Sequence, residues 1–223
     1  NPLFHGEYRQ AFENSNFILD MGYTEGYKKT STNKRAGEKS HLFGKFTKVF
    51  EGKNNSINNF SINFEDVSND KYLKLYKIKS NLVDYNKDTL QNSIEFTHEN
   101  DDLFLGINAN VYETLKDDYN DKYEYILPDI TFDKNLFSGG KLGNLDLNSN
   151  FKVRNFDTNK TTKIFVNNFD WDITKINFEN GIRGEFLSKI KNINYDVKNS
   201  SQFKSDTTSE IFGALGFLTE LDL

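Results

Sequence analysis

The chain has 223 residues, a formal net charge of −5 and a mean hydropathy of −0.71, with 36% hydrophobic residues. The sequence has no run of about 18 apolar residues, which excludes a helical membrane protein, and its interspersed charges disfavour a nucleic-acid partner. Aromatic residues make up 15%, which disfavours intrinsic disorder, and the absence of Cys excludes disulfides and thiolate ligands within the chain.

Apolar and polar residues alternate along most of the chain, beginning with Phe17, Leu19 and Met21. This period of two is typical of antiparallel strands that have one apolar and one polar face. The pattern indicates an all-β fold, an antiparallel up-and-down meander of about ten to eleven strands. In chain order the predicted strands are 3–10, 16–27, 40–50, 57–67, 90–98, 103–115, 123–133, 144–156, 161–171, 181–195 and 209–223.

Most of these predicted strands are longer than the five or six residues usual in soluble sheets. They match the roughly nine to eleven residues that a tilted membrane strand needs. The meander is therefore predicted to be part of a large transmembrane β-barrel. Pro128 lies inside one predicted strand, where it removes a ladder hydrogen bond, so a bulge or break is expected there.

The connections support the barrel interpretation because short and long ones alternate, as do the periplasmic turns and extracellular loops of outer-membrane barrels. Two later connections depart from the pattern, since 134–143 is longer than expected and 157–160 is short. The alternating series is 11–15, 28–39, 51–56, 68–89 and 99–102.

Candidate catalytic or metal-binding residues are few. His5, His41 and His98 lie far apart in sequence, without the spacing of a local metal motif, so each is interpreted as a lumen or rim residue. No Ser lies in a Gly-x-Ser-x-Gly elbow. A spatial Ser-His-Asp arrangement stays open, but the prediction is no enzyme, no catalytic residue, no metal and no cofactor.

The alternation also predicts two sets of side chains on opposite faces of the sheet. The set predicted to face lipid is Phe17, Leu19, Met21, Phe60, Ile62, Phe64, Leu103, Leu105 and Ile107. The set predicted to face the lumen or a plug is Glu7, Arg9, Asp20, Asn63, Glu65 and Glu95.

Several stretches, in the same order, resemble the LPS-assembly outer-membrane protein family LptD, also called organic solvent tolerance proteins. The resemblance covers most of the chain. The stretches are Gly6–Arg9, Leu19–Thr24, His41–Lys45, Phe64–Leu73 and Tyr125–Ile130.

The resemblance implies a partial barrel, 1–223, without an internal boundary and with both ends truncated. It further implies that the protein is located in the cell outer membrane. The resemblance also implies that the protein moves lipopolysaccharide and inserts it into the outer leaflet. Partners implied by the resemblance are an LptE-like lipoprotein plug, outer-membrane lipids, and a periplasmic lipopolysaccharide bridge that is reached through an N-terminal domain outside this segment.

Two other functions compete with this interpretation. Another outer-membrane barrel, a porin or a receptor, would show the same alternation. A soluble secreted β-sheet adhesin or glycan-binding module would belong to a different class. An outer-membrane hydrolase is the more distant third, and it would need a Ser or Asp beside one of the three His at a barrel rim.

Overall fold

The computed structural model describes residues 2–25, 37–116, 121–178 and 181–221. These residues form one antiparallel sheet of eleven strands, in which each strand pairs with its sequence neighbours and β1 and β11 are the edges. The predicted all-β meander and its strand number are confirmed. The strands are β1 (Phe4–Phe12), β2 (Ser15–Thr24), β3 (Lys39–Glu51), β4 (Ile57–Val67), β5 (Thr89–Glu99), β6 (Leu103–Thr114), β7 (Tyr123–Ser138), β8 (Asn144–Phe156), β9 (Lys160–Asn177), β10 (Ile182–Lys198) and β11 (Thr207–Leu221).

Several strands differ in length from the sequence prediction. β7 runs to Ser138 rather than 133, and β9 runs to Asn177 rather than 171. The alternation weakens at these strand ends, which made them look like loops. The strand predicted over 16–27 ends at Thr24, and residues 26 and 27 lie outside the described ranges.

The two rims of the sheet differ in the length of their connections. One rim carries only short links, at 13–14, 52–56, 100–102, 139–143 and 178–181. The opposite rim carries 25–38, 68–88, 115–122, 157–159 and 199–206, of which the first two are the longest. The link after β7 is short because that strand is longer than predicted. The short link at 157–159 is a real exception, a turn in which three successive residues have positive φ.

Pro128 interrupts the ladder as predicted. The pairing of β7 with β8 shifts register between Ile126 and Asp129, and the pairing of β6 with β7 shifts between Asn108 and Asn110. Proline has no N–H to donate, so the strand bulges where a ladder bond would otherwise form.

The buried core lies against the segment 68–88, which we call the capping loop, and not between two sheets. This loop contains the only α-helix in the described residues, α1 (Tyr72–Tyr76). The core consists of Phe43, Tyr72, Leu73, Ile78, Val83, Leu90 and Leu115. Within the described ranges, no helix has the length and apolar character needed to cross a membrane.

Many large apolar side chains of the strands have no protein covering them. Phe64, for example, is 43% exposed and Ile94 is 52% exposed, although both lie in the middle of the sheet. An apolar surface this extensive marks a face that contacts lipid or another protein.

Candidate functional site

One face of the sheet is apolar across β2 to β6. Residues directly opposite one another in a ladder share a face, and Phe17, Phe46, Ile62, Ile94 and Ala109 are opposite one another in turn. The register places the whole predicted lipid-facing set on this face: Phe17, Leu19, Met21, Phe60, Ile62, Phe64, Leu103, Leu105 and Ile107. We call it the apolar face.

The opposite face carries the residues that were predicted to face the lumen. Glu7, Asp20, Phe43 and Glu65 follow one another across β1 to β4. Neighbouring rows on this face, which we call the polar face, contain Arg9, Asn63 and Glu95. The structure therefore separates the two predicted sets onto opposite faces.

The apolar face changes character in β8 to β11. A group of hydrogen-bonded polar side chains, which we call the asparagine patch, lies among the apolar residues there. Ser149 Oγ donates to Asn167 Oδ1 at 2.7 Å, and Asn167 and Asn194 both donate to Asn192 Oδ1, at 3.4 and 2.6 Å. Ser209 Oγ donates to Asn194 Oδ1 at 2.7 Å. The patch satisfies its own polar groups.

The capping loop is held on the polar face by side chains of the strands. Lys87 Nζ donates to Glu65 Oε1 at 2.6 Å, and the backbone N–H of Asn81 donates to Glu7 Oε2 at 3.3 Å. Two of the predicted lumen residues, Glu7 and Glu65, thus bind this loop. The acceptor is an ionised carboxylate in both bonds, and a hydrogen bond with an ionised partner is stronger than one between two neutral groups.

Ion pairs at the long-loop rim fasten the capping loop further. Lys122 Nζ lies 2.7 Å from Asp70 Oδ2, and this carboxylate raises the pKa of Lys122. Within the loop itself, Lys74 donates to Asp88, and this hydrogen bond lowers the pKa of Asp88 below its usual value. Both pairs are partly exposed, so each contributes modestly to stability.

Two histidines converge on one aspartate beneath the capping loop. His5 Nε2 lies 3.0 and 3.1 Å from the two oxygens of Asp20, and His41 Nε2 lies 2.6 Å from Asp20 Oδ1. The side chains of Asp20 and His41 are completely buried, and that of His5 is 30% exposed. We call these three residues the His–Asp–His cluster.

Gly22 makes room for the cluster. It is opposite both His5 and His41, so the two imidazoles flank a residue that has no side chain. A Cβ at position 22 would lie 2.3 Å from His41 Cε1 and 2.8 Å from the Tyr72 hydroxyl. Any larger residue would displace His41.

The capping loop supplies the surroundings of the cluster. The Tyr72 hydroxyl lies 3.3 Å from His41 Nδ1, and the Ser80 side chain hydrogen-bonds Asp20. Burial, reinforced by the nearby Tyr76 and Asp20, raises the pKa of Tyr72 to about 12, so this residue stays a neutral phenol at physiological pH.

The contacts of His41 are not those of the histidine in a serine-hydrolase triad. A triad needs the serine hydroxyl beside a histidine nitrogen. Here Asp20 occupies Nε2 of His41 and Tyr72 faces its Nδ1. Ser80 bonds the aspartate instead, and its Oγ accepts the N–H groups of Leu82 and Val83. The arrangement can fasten the loop or hold a cation.

His98 lies near the short-link rim, on the apolar face, and places its Nδ1 2.8 Å from Asn58 Oδ1. His5 and His41 lie on the polar face near the long-loop rim, which agrees with their interpretation as lumen or rim residues. The sequence interpretation did not include their convergence on Asp20. The short 13–14 turn could have placed His5 opposite Gly22. No sequence signal sets the register of β3 against β2, however, because a long connection joins them.

Comparison with known proteins gives one family. The family model described as LptD, LPS transport system D, matches residues 45–206 and so covers most of the chain. No curated protein matches the chain closely enough to be called a relative.

Proposed function

Since the chain belongs to the LptD family of LPS transport system proteins, we propose that it forms part of the wall of an outer-membrane β-barrel that inserts lipopolysaccharide into the outer leaflet. The observation that carries the proposal is the family match over 45–206 together with a sheet that is apolar on one face and polar on the other. A barrel pairs every backbone group between strands, which is what a membrane demands.

In this proposal the apolar face contacts outer-membrane lipids and the polar face lines a hydrated lumen. The rim with the short links is periplasmic, and the rim with the capping loop is extracellular. The cell outer membrane is therefore the proposed location, and residues 1–223 act as one partial barrel domain.

The lumen is the proposed place for the partners of the wall. A lipoprotein plug would contact polar-face side chains such as Arg9, Asn63 and Glu95, whereas Glu7 and Glu65 are engaged by the capping loop. Lipopolysaccharide would arrive from a periplasmic bridge through a domain that is separate from this wall. The proposed role of the wall is to shape the lumen without covalent chemistry or a cofactor.

Conditional depletion of the full-length protein, followed by assay of newly made lipopolysaccharide at the cell surface, tests this function. The proposal predicts that surface lipopolysaccharide falls and that sensitivity to detergents and large antibiotics rises before bulk outer-membrane proteins decline. Normal delivery of lipopolysaccharide with a selective loss of solute uptake would contradict the proposal and favour a porin or receptor.

Alanine substitution of Arg9, Asn63 or Glu95 in the same cells separates a scaffold from a reactive site. A large wet interface spreads its energy over many contacts, so each variant is expected to keep the permeability barrier nearly intact. One substitution that stops transport while barrel assembly and plug binding stay normal would contradict the scaffold role.

A further inference from the structure

We propose that His5, Asp20 and His41 bind a divalent transition-metal ion of the zinc type, which fastens β1, β2 and β3 to one another beneath the capping loop. This inference concerns the stability of the wall. It does not rest on the transport function, because it follows from the geometry of the cluster alone.

The three side chains already have the spacing of a metal site. One ligand atom from each residue lies within 4.8 Å of the other two. Ligands bonded to zinc at about 2.0–2.2 Å lie a little over 3 Å apart in a tetrahedron. The observed distances from Asp20 to the two imidazole nitrogens are 2.6 and 3.0 Å, so a small outward shift of the rings accommodates the ion.

The donor atoms select the class of metal. Two imidazole nitrogens and one carboxylate suit zinc and its neighbours in the first transition row, whereas calcium and magnesium prefer oxygen ligands. The cation would also compensate the charge of Asp20, whose side chain is completely buried between the two rings.

A second layer of hydrogen bonds is in place to orient the ligands. A histidine that binds metal through one nitrogen usually donates its other N–H to an oxygen. The Tyr72 hydroxyl lies 3.3 Å from Nδ1 of His41, where it can accept this bond, and Ser80 holds the carboxylate of Asp20. Metal at Nε2 of His41 therefore requires the Nδ1–H tautomer, which Tyr72 stabilises.

The cluster has one open side. The side chain of His5 is 30% exposed, whereas those of Asp20 and His41 are not exposed at all. An ion can therefore enter beside His5, and a water molecule can complete a tetrahedron there. Gly22 keeps the space between the two rings free of a side chain.

Zinc binding to the full-length protein in detergent tests the inference. After EDTA treatment and buffer exchange, Zn²⁺ is titrated by calorimetry, and Co²⁺ serves as a visible-absorption probe of ligand geometry. The variants are His5→Ala and His41→Ala, and the matched control is His98→Ala, which removes an imidazole from the opposite face. His5→Ala and His41→Ala are each expected to lower the zinc stoichiometry by one ion per chain and to abolish the corresponding Co²⁺ bands, while His98→Ala equals the wild type.

Two further variants keep the test decisive if His41→Ala fails to fold. His5 is partly exposed, so His5→Gln preserves packing and should still lose the ion. Tyr72→Phe keeps the ring but removes the hydroxyl, and it should weaken zinc affinity about 10-fold, the lower end of the usual effect of an outer hydrogen bond. Zinc stoichiometry and Co²⁺ spectra that are the same in the wild type, His5→Ala and His5→Gln would overturn the proposal.

Discussion

The apolar face differs between β2–β6 and β8–β11, and the difference shows two ways in which such a face can deal with polar side chains. In β2–β6 the row from Phe17 to Ala109 has only apolar side chains. In β8–β11 the row that begins at Ser149 continues through Asn167 and Asn192. The row in the first region has no polar side chains. In the second region, each polar side chain of the row forms a hydrogen bond with a neighbouring side chain.

The two regions also differ on the polar face. The capping loop covers β1 to β4 and buries Asp20, His41 and Phe43. No comparable loop covers the polar face of β7 to β9 in the described residues, where Asp133, Asn148 and Asn168 form a ladder of side-chain hydrogen bonds. Substitutions in the first region should therefore have the larger effects.

The largest effect is expected from charge on the apolar face of the first region. Ile62→Arg should destabilise the barrel by about 2–4 kcal/mol, because an arginine then lies at mid-depth in hydrocarbon. Asn63→Arg, one residue along the same strand, should be tolerated because position 63 lies on the polar face. Unfolding in urea from lipid vesicles measures both, and equal costs for the two variants would contradict the assignment of the faces.

Gly22→Ala tests the packing of the polar face beneath the capping loop. The added methyl group meets the His41 ring at 2.3 Å, so His41 must move, at a cost of about 1–3 kcal/mol. Gly6→Ala is the matched control, because a Cβ at Gly6 of β1 meets nothing within 4 Å. The apparent melting temperature on semi-native gels compares them, and equal shifts would show that the cluster is not tightly packed.

Asn192→Leu tests the asparagine patch. The substitution removes the acceptor of both Asn167 and Asn194, which should cost about 1 kcal/mol despite the added apolar surface. Ile190→Leu, two residues earlier on the same face, nearly conserves volume and should cost less. The same urea titration distinguishes them, and a stabilised Asn192→Leu protein would mean that the patch is not a cooperative network.

The smallest expected effect is the pH dependence of the capping loop. Lys74 lowers the pKa of Asp88, so this pair stabilises the loop above the ordinary carboxyl pKa and loses its contribution as pH falls through the lowered value. Hydrogen exchange of α1 amides should accelerate in acid, and Asp88→Asn should reduce that acceleration. Asp101→Asn, at the opposite rim, is the control, and this variant should keep the full acceleration of exchange in acid.

Most of the fold could be predicted from the sequence because the alternation keeps one period along most of the chain. The strand Ile57–Val67 was predicted at its observed bounds. Pro128 marks the bulge in β7. The ends of β7 and β9 could not be predicted, because polar residues outside the regular pattern still pair with a neighbouring strand.

The cluster could not be predicted, since it depends on register and on a folded loop. His5 and His41 meet only because β1 and β3 both pair with β2 at Gly22. The connection between β2 and β3 is long, so its sequence sets no register, and the contact of Tyr72 with His41 depends on how the capping loop folds back.

Site-directed spin labelling along β4 tests the central claim, that one face of this sheet meets lipid and the other meets water. The chain has no Cys of its own, so single cysteines at positions 60 to 64 label it uniquely once any cysteine elsewhere in the full-length protein is replaced. In lipid vesicles, labels at Phe60, Ile62 and Phe64 should be accessible to oxygen, and labels at Ser61 and Asn63 to a water-soluble nickel complex. Accessibility without a period of two, or with the two sets exchanged, would contradict the account.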